Sequence, residues 1–342
     1  MREIKNKRLF LVVLVFLLIL VSVICISIGP VKISLRETAG ILLSPLLGKD
    51  ASGGINPTNA TIILRIRLPR IIMAIITGAA LSVAGVAFQA LLRNPLADPY
   101  VLGVSSGAAL GASVAIAFGL LSLIPFFGFI GALATMYIVY LLAKTGSRIS
   151  VTSLILAGVV MGAFLSSLIS LIMALLGDDM HKVMFWLMGS LAYTDTKLAS
   201  IVFALVLLGT AVIYLLSRDL NLILLGEEPA QHLGANTELV KKVLFASASL
   251  ITGAVVSVTG LIGFVGLIIP HTVRLLIGPK HNTLIVGSAL VGSIFLIIAD
   301  TAARTVIAPA EIPIGVITAL VGAPFFLFLL VKKKKGMKNI SV

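Results

Sequence analysis

From Tyr100 to Ala143 the chain runs without a single charged residue, and no soluble domain supports an apolar stretch of that length. A helix needs roughly 20 apolar residues to cross a hydrocarbon core of about 30 Å, so the segment is long enough for two spans. Ser122, Pro125 and Gly128 mark the expected hairpin between them. The rest of the chain agrees: 59% of residues are hydrophobic and 11% charged, against about 25% charged in ordinary soluble domains. The 26 Lys and Arg outnumber 13 Asp and Glu, for a formal net charge of +13. These basic residues cluster between apolar stretches, which is the pattern of membrane topology and not of a nucleic-acid groove. One cysteine, Cys25, excludes an internal disulfide framework and any cysteine-rich metal or iron–sulfur centre.

Ten spans are expected. The first runs from Leu9 to Ile28 behind Arg2, Lys5, Lys7 and Arg8. It is longer than a signal-peptide core and lacks a small-residue cleavage site, so it reads as a retained span. The others are Ile71–Leu91, the pair within Tyr100–Ala143, Val151–Leu176, Leu198–Leu216, Leu284–Ala299 and Ile314–Val331, with two more in Val243–Val273. That last stretch carries only His271 among titratable residues, and Gly260, Gly263 and Gly266 divide it into a seventh span and a shortened eighth. The fold class expected is an all-α polytopic membrane protein of about ten transmembrane helices, one domain over residues 1–342.

Cytoplasmic loops are enriched in Lys and Arg. With both termini cytoplasmic, the inner loops hold Arg93; Lys144 and Arg148; Arg218, Lys241 and Lys242; Arg274 and Lys280; and Lys332, Lys333, Lys334, Lys335 and Lys338. Two places break the rule: Arg65, Arg67 and Arg70 before the second span, and Arg304 before the tenth. A charge at the bilayer centre costs roughly 2.5–3.5 kcal/mol and less toward the interface. A lone arginine there is most simply an interfacial snorkel. Three in the run ILRIRLPR make a binding surface a competing explanation.

Within the spans, Gly103, Gly107 and Gly111 recur every fourth residue, and Gly78, Ser82 and Gly85 repeat the theme, which points to close helix packing. Asp98, Asp300 and Glu311 all fall near span ends, so no buried acid chain exists for a proton relay, although sodium coupling stays open. There is no GxxxxGK[ST] phosphate loop, HExxH zinc motif or GxSxG elbow. His181, His232, His271 and His281 lie on different loops without ligand spacing; only His181, on an exposed segment, is placed to touch a haem-like cargo. Trp186 suits an outer-face amphipathic helix. The long inner loop, about residues 218–242, lies in the stretch SRDLNLILLGEEPAQHLGANTELVKK, residues 217–242. In it Gly226 and Gly234 bracket a short helix with Glu227 and Glu228 at its positive end, while Leu222, Leu225 and Ala230 are apolar. Such a helix docks into a partner's groove; the alternative, lying on the bilayer, is disfavoured because anionic lipid repels the acidic pair.

The chain closely resembles the FecCD family of ABC importer permeases. The resemblance rests on IRLPR at Ile66–Arg70, GAALSVAGVAFQALLRNPLADPYVLGVSSGA at Gly78–Ala108, LLGEEPAQHLG at Leu224–Gly234, GFVGLIIPHTVRLLIG at Gly263–Gly278 and IADTAARTVIAPAEIPIGVITALVGAPFF at Ile298–Phe326. It implies a membrane subunit carrying ferric siderophores, haem or cobalamin across the cytoplasmic membrane of a prokaryote. The partners implied are a second permease subunit, identical or paralogous, two ATPase subunits and an extracytoplasmic binding protein. It assigns binding-protein docking to Arg67, Arg70 and Arg304, and the ATPase-coupling helix to Gly226, Glu227, Ala230 and Gly234. It places the cytoplasmic closure of the path at Asn94, Leu96 and Thr152. It implies no catalytic residue, metal or cofactor in this chain, since ATP and magnesium sit on the partner ATPase. Ferric siderophore, the commonest cargo of the family, is the first expectation. An ion-coupled secondary transporter, and behind it a membrane-embedded enzyme, are the readings from other classes.

Overall fold

The computed structural model describes residue 4 and residues 6–47, 56–146, 148–192 and 196–338, without the side chains of residues 45–47, 145, 148, 329–330 and 332–338. Arg2 and Lys5, and the side chains of Arg148, Lys332, Lys333, Lys334, Lys335 and Lys338, lie outside what is described. The architecture is all-α. In chain order come α1 (Lys7–Ser27), α2 (Leu35–Leu47), α3 (Pro57–Thr61), α4 (Leu68–Leu91), α5 (Val104–Ala117), α6 (Ile124–Ala143), α7 (Val151–Leu176), α8 (Met180–Leu187), α9 (Thr196–Leu215), α10 (Ser217–Ile223), α11 (Glu227–His232), α12 (Thr237–Thr259), α13 (Val265–Ile277), α14 (His281–Ala303) and α15 (Ile314–Lys338). The extended structure among the described residues is one antiparallel pair, β1 (Lys144–Thr145) with β2 (Arg148–Ile149), between α6 and α7.

Seven of these helical stretches are long and apolar enough to cross a membrane, and Val104–Ala117, Val265–Ile277 and Ile314–Phe328 are shorter apolar helices. Together they account for the ten spans expected. The glycine division also holds: α12 stops at Thr259, Gly260 turns at φ 68°, and α13 starts at Val265 behind Phe264, a non-glycine residue at φ 69°.

Three boundaries differ from the sequence reading. The hairpin inside Tyr100–Ala143 turns at Gly119 (φ 70°), where the Leu120 N–H closes on the Ala115 carbonyl. Pro125 and Gly128 instead lie inside α6, because proline's missing N–H is harmless in a first turn. The third span is helical only from Val104: its 14 residues rise about 21 Å, too little to cross alone. The missing length is supplied by the turn Pro99–Leu102, capped by Asp98 through the Tyr100 N–H at 2.8 Å. The second span begins earlier than expected. Helix is continuous over Pro57–Leu91, with one π turn at Ile62–Arg67. Pro69 lacks an N–H and its ring displaces the carbonyl a turn back, and the wider turn just before it accommodates both.

Residue burial separates the helices into two classes. α4, α12 and α14 are buried on most sides, whereas α1, α7 and α9 expose many of their leucines, valines and phenylalanines. That exposure is untenable in water and natural in lipid, which is as apolar as leucine. With no hydrophobic force between helices inside a bilayer, the core helices associate by close backbone approach. A Cβ on Gly78 of α4 would strike the backbone of Gly292 on α14, and one on Gly85 would strike the backbone of Gly266 on α13. Gly107 meets Gly131 in the same way, and Gly111 meets Phe127, between α5 and α6. Ser293 adds a bond between core helices, its hydroxyl donating to the Ile75 carbonyl at 2.9 Å. Gly78→Val and Gly85→Val are expected to cost on the order of 1–3 kcal/mol each by overpacking, read as a lower thermal midpoint in detergent. Gly40→Val, where an added Cβ meets nothing within 4 Å, should leave the midpoint near the unmodified value.

Candidate functional site

The 24 residues of α4 make a rod of about 36 Å, and a charged cluster sits at each of its ends. At its N-terminal end, Arg67 and Arg70 are three apart and share one helix face. Arg67 Nη1 donates to the carbonyls of Ile26 and Ser27, both at 2.8 Å, and Nη2 donates to Val31. Arg304, the C-cap of α14, donates from Nη2 to the Cys25 carbonyl and, at 3.2 Å, to Thr301 Oγ1. Both guanidiniums therefore grip the last-turn carbonyls of α1, the negative pole of its dipole.

Arg70 engages carboxylates instead. Its Nε donates to both oxygens of Asp300, at 2.8 and 3.0 Å, and its Nη1 to both oxygens of Glu311, at 3.0 and 2.9 Å. Arg304 Nε stands 3.6 Å from Asp300 Oδ2 and makes no hydrogen bond. Three guanidiniums face two carboxylates, so the cluster retains one net positive charge.

The sequence reading places these arginines at a membrane edge, open to a partner. The structure brings all three together but buries them, with relative exposures of 4%, 8% and 4% for Arg67, Arg70 and Arg304, and gives them partners within the chain. The reason is physical: a guanidinium beside hydrocarbon is costly unless its donors are satisfied. Asp300 and Glu311, read from the sequence only as too peripheral for a proton relay, turn out to be those acids. They are 230 and 241 residues from Arg70, beyond any local signal. Their environments differ, since the Asp300 side chain is fully buried and that of Glu311 is 43% exposed. Beside Glu311 lies a cavity of about 400 Å³ lined by Arg70, His181, Lys182, Ser190 and Glu311.

At the other end, α11 is entered through Gly226 at φ 119° and left through Gly234 at φ 89°, both left-handed positions that favour glycine. Ala230 is completely buried, while Leu224, Leu225 and Leu233 beside α11 are exposed by 55%, 67% and 58%. Glu227 takes two cations: Arg93 Nη2 at 2.9 Å and Lys241 Nζ at 2.7 Å. Lys241 also reaches Glu238 at 3.1 Å, and Glu238 Oε2 accepts the Ile149 N–H at 3.0 Å, just ahead of α7. One acid thus ties α11 to the end of α4, to α12 and, through Glu238, to the β1–β2 hairpin.

The remaining sequence candidates border this network. Asn94 follows Arg93 (φ 48°) and accepts the Leu96 N–H at 2.9 Å in a tight turn that exposes both side chains. Thr152 is exposed on the first turn of α7, which Ser150 caps. Their neighbours Arg93 and Val151, with Glu227 and Lys241, line a cavity of about 460 Å³. Sequence reasoning missed Arg93 and Lys241 as the cations paired with Glu227, and Glu238 as the second acid on Lys241. It also missed Gln89, whose Oε1 accepts from Arg274 at 2.9 Å while its amide donates to the Leu267 carbonyl at 3.2 Å. Among the described residues no group of His, Cys, Asp and Glu is arranged to hold a metal ion.

Apolar helices long enough to cross a bilayer, packed around a central rod with a charged cluster at each end, define a polytopic helical membrane protein. The FecCD transport family model matches residues 17–332, and the chain belongs to that family. It is 41% identical to an uncharacterized ABC transporter permease, YvrB of Bacillus subtilis, over 99% of this chain and 98% of that protein. It is 42% identical to the cobalamin import permease BtuC of Halobacterium salinarum over 81% of this chain and 75% of that protein. Among solved structures, a transporter described as of the metal-chelate ABC type, in an inward-facing conformation, superposes with a TM-score of 0.81 at 35% identity, covering 94% of this chain and 99% of that one. The chain is accordingly an ABC importer permease subunit seated in the cytoplasmic membrane; ATP hydrolysis belongs to separate subunits.

The unequal exposure of the two acids gives a testable difference. Asp300→Ala leaves Arg70 and Arg304 buried without their shared counter-ion and is expected to destabilise by about 3–5 kcal/mol. Glu311→Ala, at the half-exposed position, should change stability by about 1 kcal/mol or less. Thermal unfolding of the detergent-solubilised protein measures both.

Proposed function

We propose that this chain is half of the membrane part of an importer for a ferric siderophore, working by alternating access with a second permease copy or paralogue, two ATPases and an extracytoplasmic binding protein. The observation that carries the reading is the Glu227 network. It joins the short helix expected to meet the ATPase to the two segments expected to close the path, through Arg93 beside Asn94 and Leu96 and through Lys241 and Glu238 to the hairpin before Thr152. Ion pairs between rigid elements move those elements together, so displacement of α11 by a closing ATPase is passed on to both closures. The exposed leucines flanking α11 supply the apolar contact that such a partner covers. Gly226 and Gly234 fix the helix's entrance and exit, and buried Ala230 seats it on the bundle.

The arginine end faces outward in this reading and the α11 end faces the cytoplasm. Arg67, Arg70 and Arg304 form a net-positive floor beneath the outer surface, and exposed Val306 and Ile307 provide an apolar rim beside it. Charge complementarity with acidic side chains of the binding protein would set the register and rate of docking. A further cavity of about 640 Å³, bounded by Tyr100, Met188, Phe264, Gly315, Ala319 and Ala323, is lined almost wholly by apolar residues. Such a wall suits a path that passes a bulky chelate without holding it. ATP and magnesium are bound by the partner ATPase, and this chain needs no cofactor of its own.

Two measurements test the proposal. Co-purification with the ATPase encoded beside it, followed by ATP hydrolysis with the binding protein loaded with a ferric siderophore, haem or cobalamin, should show stimulation by the siderophore-loaded form; stimulation by another cargo reassigns the substrate. Glu227→Ala should lower uptake at least about tenfold while the complex still hydrolyses ATP; unimpaired uptake in that variant overturns the coupling assignment.

A further inference from the structure

We infer that Glu311 is an internal stand-in for the binding protein's carboxylate: it occupies Arg70 while the outer surface is free and is exchanged for the partner's acid on docking. The inference rests on the docking reading above and adds a residue and a step to it. Arg70 meets two acids through two different nitrogens, and the acids are unequal: Nε is held by Asp300, which is wholly buried, and Nη1 by Glu311, whose side chain is 43% exposed. Only the second acid has water available to receive it when it leaves, so only the second can be exchanged at modest cost. The cavity of about 400 Å³ that Arg70 and Glu311 share gives an incoming side chain a route to the same guanidinium.

The charge balance favours the exchange. Arg67 and Arg304 spend their donors chiefly on neutral acceptors of the α1 end, the carbonyls of Cys25, Ile26, Ser27 and Val31. The cluster therefore keeps a net positive charge even with Glu311 in place. Arg304 Nε, on a residue only 4% exposed, has no hydrogen-bond partner, a buried donor that a further acceptor would satisfy. The acids and cations facing the cavity are otherwise Lys182, already paired with Asp179 at 2.8 Å, and His181. Neither neutralises the arginines.

Glu311 also lies within the segment that links α14 to α15. The segment is tied back by the Ile312 N–H to the Ala303 carbonyl at 2.9 Å and by the Ile314 N–H to the Gly189 carbonyl at 3.2 Å. α15 in turn supplies Gly315, Ala319 and Ala323 to the apolar cavity wall. Displacing Glu311 therefore removes the ion pair between this link and Arg70 while the backbone ties at the head of α15 stay in place.

The test uses the permease reconstituted with its ATPase in nanodiscs and the binding protein encoded beside it, labelled with a fluorophore. With the competitor removed, Glu311→Ala and Glu311→Gln should each bind the binding protein about fivefold more tightly at about 0.15 M salt. The gain should shrink as salt rises. Unchanged or weaker binding in both variants, with their thermal midpoints intact, overturns the inference. Arg70→Lys separates this from failure of the docking reading itself, because lysine keeps a charge opposite Asp300 but cannot fork two acids. Weaker binding by Arg70→Lys, beside unchanged binding by the Glu311 variants, overturns the exchange and leaves docking standing. Unchanged binding by Arg70→Lys overturns docking on these arginines, and the exchange with it.

Discussion

Backbone-to-backbone contact of α4 with α14 and α13 is the constraint on which the rest of this molecule depends. In a bilayer apolar side chains gain nothing by leaving lipid for one another, so helices hold together where small residues let main chains touch. Gly78 against Gly292 and Gly85 against Gly266 place α4 in the centre of the bundle. A central rod about as long as the hydrocarbon core is thick has its two ends near the two membrane faces. Arg70 at one end and Arg93 beyond the other inherit their positions from that packing.

The two charged clusters obey different physics because their surroundings differ. At the arginine end the guanidiniums are held by carbonyls of a helix terminus, by Asp300, which water does not reach, and by the partly exposed Glu311. Removing the buried acid is expensive, whereas the exposed one contributes less. At the α11 end the ion pairs around Glu227 are partly exposed, with Arg93 and Glu227 side chains 48% and 33% accessible. Each such pair contributes little to stability, and together they join α11 to α12 and to the segment beyond α4.

Much of this was legible in the sequence. The ten spans, the glycine division around Gly260, the small-residue faces at Gly78 and Gly107 and the short helix between Gly226 and Gly234 all follow from local pattern, because each depends on length, spacing or a backbone angle that few residues adopt. The boundaries that moved did so for reasons equally local but finer, such as a π turn ahead of Pro69 and a glycine at 119 that turns the chain before Pro125.

What the sequence by itself determined is the class: charge-free runs long enough to cross a bilayer, basic residues gathered between them, and motifs that place the chain in its family. What only the tertiary structure decided is who partners whom. Arginines that break the positive-inside pattern look exposed in a sequence, yet Arg70 closes on Asp300 and Glu311 more than two hundred residues away, and Glu227 closes on both Arg93 and Lys241. A charge near hydrocarbon takes the nearest acceptor in space, and nearness in space is set by which helices pack together, which no single stretch of the chain encodes.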